Sequence, residues 1–171
     1  MKSSTALASL LLAVVSGAAS ANTATFDGTF GDPQSYTENG ITIAAINAGW
    51  HVHLDDGLTI MNHGGGCCSS PYLITFAGGN FSLTSFDLSN STSPSLFTNN
   101  LGGSMTIGTD GSFNSFGPGW SNLAWVKWDI SGQANMDNLT LTAAVPEPES
   151  YALMLAGLGL MGAVARRRKA K

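Results

Sequence analysis

The chain has 171 residues, 43% of them hydrophobic, with seven basic and eleven acidic side chains and a formal net charge of −4. The balance is uneven: Lys127 is the one basic residue between positions 22 and 144, against nine acidic ones, so that stretch carries −8. A surface with a single cation cannot neutralise phosphates, which excludes nucleic acid and anionic lipid as its partners and leaves neutral glycans and cations.

Lys2, the mostly apolar run over 7–15 and the small-x-small sequence Ala19-Ser20-Ala21 predict a secretory signal peptide over residues 1–21, exported by the Sec route and cut by signal peptidase before Asn22. No Cys stands beside that cut, so a lipoprotein anchor is not expected.

Residues 22–144 have the length of one domain with a core of its own. Apolar and polar residues alternate at period two over 41–43, 58–60, 72–76, 81–83, 105–107, 123–130 and 139–141, which predicts strands. Asn39-Gly40, Asp56-Gly57, Gly78-Gly79-Asn80, Gly102-Gly103, Asp110-Gly111 and Gly117-Pro118-Gly119 supply the turns between them. The expected fold is all-β, a single antiparallel β-sandwich of jelly-roll type. Within 123–130, Val126, Trp128 and Ile130 fall on one face, and Leu123, Trp125, Lys127 and Asp129 on the other. One tryptophan is expected in the core. Trp125, with Trp50 and Trp120 on neighbouring loops, offers a stacking platform for a sugar ring, against the plainer reading of all four tryptophans as packing residues.

The least ordinary chemistry lies over residues 51–72. His51 and His53, two apart on an expected strand, project from one face, and with His63 or a Cys they would make a three- or four-ligand transition-metal centre. The spacing matches no established zinc signature. Cys67 and Cys68 are adjacent and cannot easily aim both sulfurs at one ion; in an exported chain they pair, either as a vicinal disulfide or as a bridge between two chains. Both pairings stay open. No Gly-x-Ser-x-Gly or His-Glu-x-x-His motif occurs, and Glu38 is the single Glu of residues 22–144, so a non-catalytic domain is expected. The alternative is a secreted hydrolase or metal-dependent enzyme built on His51, His53, His63 and Asp55.

Residues 145–171 form a tail of a different kind. Pro146 and Pro148 make an extended joint, residues 151–165 carry no charge, and Arg166, Arg167, Arg168 and Lys169 end the run. Fifteen helical residues span roughly 22 Å against a hydrocarbon core of ~30 Å, so a short transmembrane helix is expected, its mismatch absorbed by snorkelling arginines and bilayer thinning. The basic cluster places the C-terminus on the cytoplasmic side of the inner membrane.

Pro146-Glu147-Pro148, the Leu- and Gly-rich run and Arg166 to Arg168 resemble, in that order, the PEP-CTERM sorting signal of bacteria that make exopolysaccharide. The resemblance implies that an exosortase recognises the tail, cuts near Pro-Glu-Pro and passes residues 22–144 to the cell surface or the extracellular matrix, where association with exopolysaccharide is the expected role. More loosely, residues 79–88 and 136–141 resemble stretches of the jelly-roll regions common in such proteins, which look like carbohydrate-binding sandwiches. That likeness implies a structural calcium joining an acidic residue near the first strand to one near the last, here Asp27 and Asp137.

Overall fold

Asn39-Gly40 illustrates how local chemistry sets this fold. Both residues take positive φ, +48° and +80°, as a two-residue type I′ hairpin requires, and they join strands whose register runs from Glu38 opposite Ile41 to Ser35 opposite Ala44. The computed structural model describes residues 20–27, 31–47, 51–55, 59–63, 71–114, 116–144 and 148–169. The expected signal peptide as far as residue 19, Trp50, Cys67, Cys68, Pro146 and Glu147 lie outside them.

The described chain forms β1 (Ala21–Ala24), β2 (Ser35–Glu38), β3 (Ile41–Ala45), β4 (His53–Asp55), β5 (Thr59–His63), β6 (Tyr72–Phe76), β7 (Phe81–Ser89), β8 (Ser95–Asn99), β9 (Ser104–Ile107), β10 (Gly111–Phe113), β11 (Val126–Ile130) and β12 (Gln133–Ala143). They make two six-stranded sheets, one in the order β10-β7-β12-β5-β4 with β1 also on β12, the other β2-β3-β6-β11-β8-β9. Every pairing is antiparallel. Among β5 to β12 the pairings nest: β5 with β12, β6 with β11, β7 with β10 and β8 with β9.

One core lies between the sheets. On β3 and β11 every second residue is buried, Ile41, Ile43, Val126, Trp128 and Ile130 among them, while Lys127 and Asp129 face outward. Aromatic rings carry the contact across the gap, where Phe86 of β7 stacks on Phe97 of β8 at 4.8 Å; within the second sheet Phe97 lies parallel to its cross-strand partner Trp128 at 6.1 Å. Tyr72 meets Trp128 edge-on at 5.9 Å. Truncating a ring of this kind to Ala costs about 3–5 kcal/mol. Two buried donors in this core find partners: Trp128 Nε1 donates to Ser95 Oγ at 3.0 Å, and Asn62 Nδ2, from the opposite sheet, donates to the Trp128 carbonyl at 3.1 Å, while Asn62 Oδ1 has no partner among the described residues.

Two expectations need correction. The strand expected over 123–130 begins only at Val126. Leu123 is buried rather than outward, because it forms a separate bridge to Phe81, with N–H to O distances of 2.7 and 2.9 Å. The tail forms one helix, α1 (Pro148–Lys169), with Pro148 at its start, where the missing amide proton costs nothing. No helix among the described residues is long and apolar enough to cross a membrane. The physical reason is the one already visible in its sequence: Glu149 and Ser150 at one end and the arginines at the other leave fifteen uncharged residues, three of them glycine.

Candidate functional site

The segment around Asp32 and the strand leading into β4 bring three ligand-type side chains together. Asp32 precedes Pro33, which biases it to extended backbone, and residues 31–33 run antiparallel to residues 52–54. The Leu54 N–H donates to the Gly31 carbonyl at 3.1 Å and the Val52 N–H to the Pro33 carbonyl at 2.7 Å. That register sets Asp32 directly opposite His53. Val52 and Leu54 point into the core, so His51 and His53 both face outward, as their spacing predicts.

Here His53 Nδ1 lies 2.7 Å from Asp32 Oδ1, and His51 Nε2 lies 3.7 Å from the same oxygen. One ligand atom from each residue falls within 4.8 Å of the others. The backbone beneath is clamped: the fully buried Tyr72 hydroxyl, reaching across from the other sheet, accepts from the His53 N–H at 3.3 Å and lies 3.3 Å from the His51 carbonyl and 2.9 Å from that of Met61. His63, the third histidine expected here, closes β5 opposite Gln133, and its side chain lies outside the described residues, as do those of Asp55, Cys67 and Cys68. Asp32 is the ligand that sequence reasoning missed. Its one signal is the Asp-Pro pair, and the cross-strand register that delivers it to His53 spans 21 residues.

A second polar group gathers where β1, β7 and β12 meet. Asp137 sits directly opposite Asp87. Asn138, at a β-bulge with φ of +50°, donates its side-chain amide to Asp87 Oδ2 at 2.8 Å and its backbone N–H to Asp137 Oδ1 at 2.6 Å. Burial raises the Asp137 carboxyl above its ordinary range; the Asn138 N–H partly offsets this, and the negative charges of Asp27, Asp87 and Glu38 push it further up. Asp27 and Asp137 are therefore close enough to repel, with Asp87 added to the pair expected from sequence. These carboxylates do not converge on a shared point as Asp32, His51 and His53 do. The Asn138 amide groups donate to Asp87 and Asp137.

The tryptophan platform is reduced. Trp120 ends a short 3₁₀ turn, Pro118–Trp120, with 9% of its surface exposed and its ring against Phe116 at 6.1 Å, so it belongs to the core and offers no open face. Trp128 is the core tryptophan of the pair on 123–130. Trp125 is half-buried, its backbone N–H donating to Asn100 Oδ1 at 3.4 Å.

The tail is the part with known relatives. Pro148 opens α1, Arg166 and Arg167 are exposed near its end, and Arg168 lies in the same last turns. Residues 144–169 match the family model of the PEP-CTERM protein-sorting motif. No curated protein and no solved structure matches the chain. The match begins where β12 ends and runs through the whole of α1; it marks an exported protein with a C-terminal PEP-CTERM sorting signal, handled by an exosortase.

Proposed function

We propose that this is a non-catalytic protein of the cell surface or extracellular matrix, released or transferred by exosortase cleavage near Pro148 and associated with exopolysaccharide through its β domain. The observation that carries the reading is the sorting motif at 144–169 directly following the last strand of a β domain. The nested pairing of β5 to β12 supports a jelly-roll sandwich as that domain, because it is the order produced when a long hairpin is wrapped into two facing sheets. The charge of −8 over residues 22–144 favours neutral sugars over anionic polymers. Trp125 keeps a partly exposed side chain of the type that stacks on sugar rings.

The lack of catalysis has support at Glu38. This carboxylate accepts from the N–H groups of Thr25 and Phe26 and from the hydroxyls of Thr25 and Tyr36, at 3.0 to 3.3 Å, so its lone pairs are committed to holding strands together. Before cleavage, the exposed apolar side chains of α1 and its terminal arginines hold the chain at the inner membrane.

The intact mass of protein recovered from the medium or cell surface of an exosortase-bearing host tests this reading. A species running from Asn22 to about Pro148 is expected. Extracellular protein that keeps its tail through Lys171 overturns it.

A further inference from the structure

We propose that Asp32, His51 and His53 bind one divalent transition-metal ion of the zinc class, taken by two imidazole nitrogens and one carboxylate oxygen. The inference is independent of exosortase handling and of any sugar.

The geometry carries it. His53 Nδ1, His51 Nε2 and Asp32 Oδ1 lie within 4.8 Å of one another, with two separations of 2.7 and 3.7 Å. Zinc bonds of about 2.0–2.1 Å in a tetrahedron set neighbouring ligand atoms roughly 3.3 Å apart, so small side-chain rotations close this trio on an ion. His51 Nε2 gives the second observation. The atom is shut off from solvent and has no hydrogen-bond partner among the described residues, and at 3.7 Å the Asp32 oxygen is too far to serve as one. A buried polar nitrogen left in this way is costly, and a cation at the shared point satisfies it.

The support is rigid and the site is open. Tyr72 fixes the backbone of residues 51–53 from the far sheet, and the paired backbone of residues 31–33 fixes Asp32. Half of the Asp32 side chain is exposed, against 24% and 32% for the two histidines. Three protein ligands on an outward face leave a fourth position for water or for a ligand oxygen. Nitrogen donors disfavour calcium and magnesium, which take oxygen. Because its ligands come from two segments, the ion also fastens residues 31–33 to the edge of β4.

The test uses the untagged full-length protein in detergent, stripped with a chelator and titrated with zinc against a chromophoric zinc indicator. One equivalent is expected to bind, with the thermal midpoint rising as zinc is added. Asp32→Asn and His51→Gln should each weaken binding by at least about tenfold while the metal-free protein melts as before. Cu(II) loaded in place of zinc should show coupling to two imidazole nitrogens in its paramagnetic resonance spectrum, and to one in His51→Gln. No saturable binding, binding unchanged in both variants, or binding lost only in the Cys67→Ser/Cys68→Ser double variant each overturns the proposal. Should His51→Gln fail to fold, the wild-type copper spectrum decides: fewer than two coupled nitrogens overturns it.

Discussion

Glu38 and Asp137 belong to one acidic neighbourhood and respond to pH in opposite directions. Burial pushes the Glu38 carboxyl up, but the donors on Phe26, Thr25 and Tyr36 outweigh it and hold the group below its ordinary value. Its contribution is complete above the unfolded-state value and disappears as pH falls through the lower folded one. Asp137 is raised, so folding is favoured while it is protonated; that contribution is complete below its unfolded-state value and is lost as pH rises through the folded one. At neutral pH, Glu38→Gln should therefore destabilise the protein by about 1 kcal/mol, since it halves the acceptors and the site is partly screened by solvent. Asp137→Asn should raise the thermal midpoint at pH 7 and leave it unchanged at pH 3. Melts of both variants at the two pH values check this, and a midpoint lowered by Asp137→Asn at pH 7 would show the carboxylate to be a favourable group. From the sequence Asp27 and Asp137 could be picked as a pair, through the resemblance of their surroundings. Asp87 could not, because its place opposite Asp137 depends on register across a bulge.

Among the elements, legibility followed the chemistry of the inward face. Ile41-Thr42-Ile43 and Tyr72-Leu73-Ile74 announce strands because their buried positions are apolar. β8, Ser95–Asn99, does not, since two of its three inward residues are polar: Ser95 accepts from the Trp128 indole, and Asn99 binds its own turn, accepting from the N–H groups of Leu101 and Gly103. β10 escapes for another reason. It is three residues long and lies at the edge of its sheet's main strand order, too short for any period to show. β7 and β12 change inward parity together, Leu83 to Phe86 on one and Met136 to Leu139 on the other, with the bulge at Asn138 keeping both runs on the core. The polar inside of β8 gives a test. Ser95→Ala removes the only acceptor described for a fully buried indole N–H and should cost about 1–3 kcal/mol by chemical denaturation. Ser95→Thr, which keeps the hydroxyl, should recover part of that loss, and equal stability of Ala and wild type would mean that the indole needs no partner.

At the scale of the whole molecule, export followed by cleavage requires that the released part keep its fold without its tail. The core meets that requirement: its buried hydrophobic residues run from Ala24 to Leu141, and among the described residues none comes from α1. Met154, Leu158, Leu160, Met161 and Val164 of the helix are each more than half exposed, an apolar surface that a soluble chain does not leave in water. A chain ending at Pro148 should accordingly melt within about 0.5 kcal/mol of the full-length protein, as expected for a change away from the core. It should also stay monomeric in plain buffer, where the full-length chain needs detergent or lipid vesicles to avoid association. Denaturation curves and sedimentation of the two forms side by side check both halves. A truncated form several degrees less stable would mean that α1 packs on the β domain, and cleavage would then release a weakened protein rather than a finished one.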